Sequence, residues 1–336
     1  MQPFSDYLTT IEAALHADPL NQNYQNLHTL QEGKLSKGLS FEAFNRQIPE
    51  MQLQPSLQRF ANELGKQPNF NQQLGLHPDF SHLKHSNSVE HHYIVSMFVD
   101  IKGSTNLFKR YKPLTVLIVT NAIQRAAIHT CLLFGGYIHR LQGDGLFVYF
   151  GGRNIPISKA VADALQFASV FTYFVKNDLK NLFNEQGIET IFTRIGIDLG
   201  YDEDVIWALA GVGEISEITT CSLHTSLASK MQGYAPSNGV VAGDHILDES
   251  YLAKDLFVPV CHRTKYEADR YIFQIPEKRF NYTQYDFNWM AYLKRQSYIV
   301  SDLSGHLHFK DQSALKQQST AMLAPIAAAS KPYYHG

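Results

Sequence analysis

The chain has 336 residues and a mass of 38.1 kDa, 44% hydrophobic and 18% charged. That composition excludes wholesale disorder and supports one core plus flanking segments. Its 29 Lys plus Arg against 31 Asp plus Glu leave a net charge of −2, which argues against broad phosphate-backbone binding but leaves room for one local nucleotide site.

The three cysteines, Cys131, Cys221 and Cys261, are far apart and odd in number, and make neither a disulfide framework nor a CxxC metal site. The segment MQPFSDYLTTIEAALHADPL has no basic region followed by a continuous apolar one, so it does not read as a signal peptide. No charge-free apolar run reaches the roughly 18 residues of a membrane span. The expectation is a cytoplasmic protein with no membrane and no nucleic-acid partner.

Residues 1–90 show loose helical periodicity broken by Gly33, Gly38, Pro49 and Pro55. The pattern predicts helices near 5–17 and 55–65 in an accessory segment. His85, His91 and His92 read as a solvated stretch, because no matching Cys or carboxylate pattern follows.

The middle zone, 91–275, is denser. YIVSMFVD (93–100) predicts a buried strand that ends in an acid. Pro113 to Phe134 is helical and stops at Gly135-Gly136. YIHRLQ (137–142) and LFVYF (146–150) are strands joined across Gly143-Asp144-Gly145. Ile157 to Phe183 is helical, and IFTRIGIDL (191–199) is again a strand. The class is α+β, with a ferredoxin-like β-α-β-β-α-β core. From Gly211 to Ala242 the reading gives a further loop, a helix near 222–232 and the short strand GVVAG. The C-terminal extension, 276–336, opens with an aromatic-rich stretch expected to pack as a helix. It ends in a Gln/Ala/Ser tail expected to be partly flexible.

The topology makes a chemical statement. A right-handed crossover makes the first two strands parallel, with the third between them and antiparallel to both. Asp100, at the end of the first strand, then lies beside Asp144 in the hairpin that opens the third. Adjacent carboxylates repel and need a cation or a shared proton; oxygen ligands favour Mg2+ or Mn2+, which also take substrate phosphates. IKGST (101–105) follows directly, where Gly103 allows a close turn and the backbone of Lys102, Gly103, Ser104 and Thr105 offers a phosphate cradle.

At these residues the sequence resembles the class III nucleotidyl cyclase catalytic domain, in FVDIKGST (98–105), GGYIHRLQGDGLFVYFG (135–151) and SLASKM (226–231). HPDF (77–80) before MFVDIKGSTNLF is most like the pyrimidine cyclases of Pycsar antiphage systems. The resemblance implies attack of a ribose 3′ oxygen on the α-phosphorus of a nucleoside triphosphate, with two Mn2+ or Mg2+ ions per site. It implies Asp100, Asp144 and the Ile101 carbonyl as metal ligands, and a homodimer with its sites at the interface.

Residue by residue, the resemblance sets Arg140 at a base-reading Lys and Thr219 at an Asp that completes adenine recognition. Ser226 falls at a ribose-holding Asn, Lys230 at a transition-state Arg, and Lys265 at a triphosphate-binding Lys, with Arg263 close by. Arg140 offers only donors and Thr219 accepts from a ring N–H, a pattern that suits uracil. Guanine also offers a carbonyl beside an N–H, and the resemblance to the Pycsar cyclases sets the expectation at conversion of UTP to 3′,5′-cyclic UMP, a second messenger for a downstream effector in antiphage defence. Two alternatives are a cytidylate cyclase making cyclic CMP and an inactive cyclase-like nucleotide-binding or dimerisation module.

Overall fold

The computed structural model describes residues 1–18 and 51–311. The Gln/Ala/Ser tail lies outside the described residues. Both expected N-terminal helices form, as α1 (Ser5–His16) and α2 (Pro55–Leu64). Pro55 presets the first turn of α2, and Gly65, at φ 64°, ends it in a left-handed cap.

The central elements follow in the expected order. Strand β1 is Ile94–Lys102, helix α3 Pro113–Leu133, strands β2 and β3 Tyr137–Gln142 and Gly145–Phe150, and helix α4 Ile157–Tyr173. A π-helical turn, Phe174–Leu179, carries α4 on into Lys180–Glu185. Strand β4 is Phe192–Gly200.

One expectation is corrected next. The stretch taken as a loop from Gly211 belongs to a hairpin, β5 (Val205–Val212) and β6 (Ile215–Ser222), in a small sheet of its own with a two-residue strand at Glu90–His91. Helix α5 (Leu223–Tyr234) follows, capped by the Ser222 hydroxyl on the amide of His224, then β7 (Gly239–Gly243) and a short helix α6 (Asp244–Ser250). Strands β8 (Phe257–Pro259), β9 (Tyr271–Ile275) and β10 (Phe280–Phe287) complete the main sheet. The aromatic-rich stretch expected as a helix is therefore mostly strand β10, with only Trp289–Lys294 helical, as α7.

The sheet order is β2-β3-β1-β4-β7-β10-β9, with β8 beside β10. β1 is antiparallel to both β3 and β4, so the β-α-β-β-α-β core has the ferredoxin-like arrangement. Strand β3, GLFVYF, reads as an unbroken apolar run because both of its faces are buried. On one face Val95, Met97 and Val99 of β1 and Ile195, Ile197 and Leu199 of β4 join α1, α3 and α4 in the main core. On the other, Phe98 stacks on Phe147 with centroids 4.2 Å apart, and Ser96 meets Thr225 of α5 at 2.8 Å.

By length and composition α3 is apolar enough to cross a bilayer, yet 67% of its apolar window is buried inside the fold. It packs between the sheet and α1, where the Tyr7 hydroxyl donates to Nδ1 of His129 at 2.6 Å.

Candidate active site

The register Val99↔Leu146 sets the end of β1 against the Gly143–Gly145 turn. The approach is tight: a Cβ at Gly145 would lie 2.4 Å from the Val99 carbonyl oxygen and 3.4 Å from Cα of Asp100. Only glycine fits there, and Asp144 is thereby held next to Asp100 at one sheet edge. Past Asp100 the chain turns at Gly103, whose φ of 92° and 3.1 Å clearance from the Thr190 carbonyl also require glycine. It enters a 3₁₀ turn, Ser104–Lys109, where the Ser104 hydroxyl donates to Oδ2 of Asp144 at 2.5 Å. Ser104, Thr105, Gly143 and Asp144 line a cleft of 430 Å³ whose other wall is the first turns of α3. Of the residues expected in the phosphate cradle and acid pair, Ser104, Thr105 and Asp144 line this cleft, while Asp100 lies at the neighbouring strand end.

Two residues that sequence reasoning did not single out complete the acid site. Arg194 of β4, the register partner of Asp100, donates to its Oδ2 through Nη2 at 2.7 Å, and Gln232 of α5 donates to the same oxygen at 3.2 Å. Asp100 is 33% exposed and Arg194 19% exposed, so the pair is partly shielded from bulk water. The signal for Arg194 was a lone cation at an inward-alternating position of IFTRIGIDL, legible only once its partner strand is known. Among the described residues the Oδ1 atoms of Asp100 and Asp144 accept no hydrogen bond. Two adjacent carboxylates with an open oxygen each, beside a turn of backbone amides, suit a hard divalent cation and its phosphate ligands. Ile101 is buried by its side chain and Lys102 is exposed, leaving the backbone of both as the relevant part.

A second group forms around Arg140. Its Nε donates to Oε2 of Glu217 at 2.6 Å, and its Nη2 contacts Oε1 of the same carboxylate. Arg140 remains a donor-only group, and the carboxylate of Glu217 stands against it as an acceptor that the sequence reading did not include. Glu217 and Thr219 alternate on β6, so both sit on one face of that strand. His139, between Arg140 and the core, is fully buried with neither ring nitrogen hydrogen-bonded, and burial pushes its pKa down to about 3.

The remaining predicted residues are not brought to the acid pair. Ser226 is exposed and donates to the Ser222 carbonyl of its own helix. Lys230, also exposed, borders an open cavity with Gly233, Tyr234 and Ile272. Lys265 is exposed at a left-handed φ of 61° after the turn Cys261–Thr264. Arg263 is instead committed to Asp286, with contacts of 2.8 and 3.0 Å, and to the Tyr234 carbonyl. That separates Arg263 from Lys265. Among the described residues no hydrogen bond or ion pair links Ser226, Lys230 or Lys265 to Asp100 or Asp144.

No protein-family model matches the chain. Over 193 residues it is 42% identical to a cytidylate cyclase of Staphylococcus aureus, covering 57% of this chain and 45% of that protein. Over 288 residues it is 31% identical to a cytidylate cyclase of Escherichia coli, covering 82% of this chain and 62% of that one. The chain thus spans between 45% and 62% of the length of these curated relatives. Among solved structures, an adenylyl cyclase of P. aeruginosa aligns with a TM-score of 0.47 at 20% identity, over 60% of this chain and 95% of that one. The resemblance to nucleotidyl cyclases, read from FVDIKGST and the Gly-Asp-Gly hairpin, is borne out by the similarity to cytidylate cyclases.

Proposed function

We propose that this chain carries the catalytic unit of a metal-dependent nucleotidyl cyclase that converts CTP to 3′,5′-cyclic CMP and pyrophosphate. The reading of the reaction rests on the juxtaposition of Asp100 and Asp144 beside the Gly103–Thr105 turn. Divalent ions held by these carboxylates and the Ile101 carbonyl would activate the ribose 3′ hydroxyl and offset charge on the leaving pyrophosphate. Ser104 orients Asp144, Arg194 and Gln232 orient Asp100, and the Gly103 turn presents backbone amides to the phosphates.

Cytosine replaces the uracil expected from sequence for two reasons. The relatives at 42% and 31% identity are named cytidylate cyclases. The Arg140–Glu217 pair also supplies a carboxylate acceptor next to guanidinium donors. Cytosine presents a donor amine beside two acceptors, which this pair matches; uracil needs a donor at both ends and an acceptor between them.

Lys230, Ser226 and Lys265 complete the site from a second copy of the chain. Support comes from the absence, among the described residues, of any hydrogen bond or ion pair between them and the acid pair, and from the hairpin tip, where Val212 and Ile215 are 83% and 87% exposed. The catalytic unit corresponds to residues 91–275, with 1–90 as an accessory segment and 276–336 as an extension whose strand β10 joins the main sheet. The likeness to Pycsar cyclases supports a cytoplasmic second messenger in antiphage defence, read by a separate cyclic-nucleotide effector.

The test is incubation of the purified chain with each of the four ribonucleoside triphosphates in Mn2+, products being identified by mass. Cyclic CMP is expected, falling at least a thousandfold in Asp144→Ala. Predominant cyclic UMP would overturn the base assignment. Unchanged turnover in Asp144→Ala would overturn the mechanism.

A further inference from the structure

A second cluster of ligand-type side chains lies at the other end of α5. Asp198 and Arg194 point to the same face of β4, four residues or about 13 Å apart. Helix α5 runs over that face, close enough that a Cβ at Gly196 would lie 2.1 Å from the Ala228 carbonyl. Its C-terminal part brings Gln232 to Asp100, and its first turn brings His224 to Asp198. Eight helical residues cover about 12 Å, so helix and strand keep step and the two clusters are separate.

We propose that Asp204, His224 and His245 bind a borderline divalent transition-metal ion of the Zn2+ class. One ligand atom from each lies within 4.8 Å of the others. The two imidazoles are set up in the manner of metal ligands, each with Nδ1 engaged by a fixed acceptor. His224 Nδ1 pairs with Oδ2 of Asp198 at 2.9 Å, and His245 Nδ1 pairs with the Leu199 carbonyl at 2.9 Å. Donation from Nδ1 leaves the lone pair on Nε2 of both rings, which is how outer-shell partners orient ligating histidines.

That outer shell is itself fixed. Asp198 is fully buried, and its other oxygen accepts from the Tyr282 hydroxyl at 2.7 Å. Tyr282 in turn accepts from the His245 amide at 3.2 Å. Gly243 makes the room: a Cβ there would lie 2.2 Å from Oδ1 of Asp198.

His224 Nε2 faces Oδ2 of Asp204 at 3.7 Å, and the Asp204 side chain is 41% exposed in the short turn Asp202–Asp204. It provides an entry path and enough freedom to close on an ion. Tetrahedral ligands with bonds of about 2.0–2.1 Å stand closer than the present spacing, so Asp204 moves inward on binding. Two imidazoles and one carboxylate favour Zn2+, Co2+ or Ni2+ over Mg2+, and leave a fourth position for water. An ion there would staple the first turn of α5 to β4 and α6, on the helix that carries Ser226 and Lys230.

The experiment uses the full chain stripped with a chelator and titrated with Co2+, read by its visible absorption bands, and with Zn2+, read by thermal unfolding. Beyond any ion taken up by Asp100 and Asp144, one equivalent is expected at micromolar affinity or tighter. Asp204→Asn and His245→Gln, each checked for folding by circular dichroism, should weaken binding at least tenfold. That equivalent should persist in an Asp100→Ala/Asp144→Ala chain, where the acid pair takes up no ion. Asp302 with His306 and His308 is a surface competitor, so His308→Ala is run in parallel. Binding that survives Asp204→Asn, or is lost in His308→Ala, would overturn the proposal. So would a stripped chain that takes up no ion.

Discussion

Arg140 and Glu217 illustrate how a role changes once a partner is visible. The guanidinium is 44% exposed, and exposed pairs of this kind contribute about 0–1 kcal/mol to stability. The pair therefore contributes little to folding, and the role proposed for it is in base recognition. Glu217→Gln should leave the unfolding midpoint nearly unchanged. It should lower kcat/KM for CTP about tenfold or more relative to UTP, since a carboxylate acceptor is exchanged for an amide that also donates. Competition assays with both substrates, read by product mass, check this. Selectivity unaltered by the substitution would remove Glu217 from base reading. The sequence showed Arg140 from its place before the hairpin, but Glu217 lies on another hairpin and carried no local mark.

At the scale of elements, α5 joins both clusters and depends on Gly196. A Cβ at that position would approach the Ala228 carbonyl to 2.1 Å and the Gln232 amide to 2.3 Å, both backbone atoms that cannot swing aside. Gly196→Ala should cost about 1–3 kcal/mol by overpacking, read from a urea midpoint. It should also cut turnover further than the stability loss explains, because Gln232 and Lys230 move with the helix. Wild-type turnover in a destabilised Gly196→Ala chain would show that the position of α5 is not critical. The strands, α3 and the start of α4 were legible because apolar runs, Pro113 and the Gly135-Gly136 stop are local signals. Hairpin β5–β6 was not legible because Gly211, at φ 111°, sits inside β5 where glycine reads as a loop signal, and its strands pair mainly with each other.

For the whole molecule, acid sensitivity follows from three buried histidines. Burial pushes His77 and His129 down to about 4 and His139 to about 3. All three are neutral in the native fold, whereas in the unfolded chain each titrates near 6.5. Their contribution is complete above about pH 6.5 and is lost as pH falls toward their folded values, by up to about 1.4 kcal/mol per histidine per pH unit. The unfolding midpoint should thus drop steeply between pH 6.5 and 4, and His139→Phe should flatten that slope. A midpoint flat over this range would contradict the buried neutral state.

The proposed two-chain site makes its own prediction at this scale. Mixing inactive Asp100→Ala and Lys230→Ala chains should restore about a quarter to a half of wild-type turnover, because one site per mixed dimer keeps both halves. Mixtures as inactive as either parent would place all catalytic groups on one chain.

The sequence by itself determined the four core strands β1–β4 and the main helices, the β-α-β-β-α-β order and the placing of Asp100 and Asp144 at neighbouring strand ends. Period, turn chemistry and crossover handedness act locally or through topology, and need no side-chain detail. Only the tertiary structure decided that Arg194 and Gln232 hold Asp100, that Glu217 faces Arg140, and that His224 and His245 share one place with Asp204. These partners come from elements distant in the chain, and their geometry is fixed by which faces pack together, a quantity no local pattern encodes.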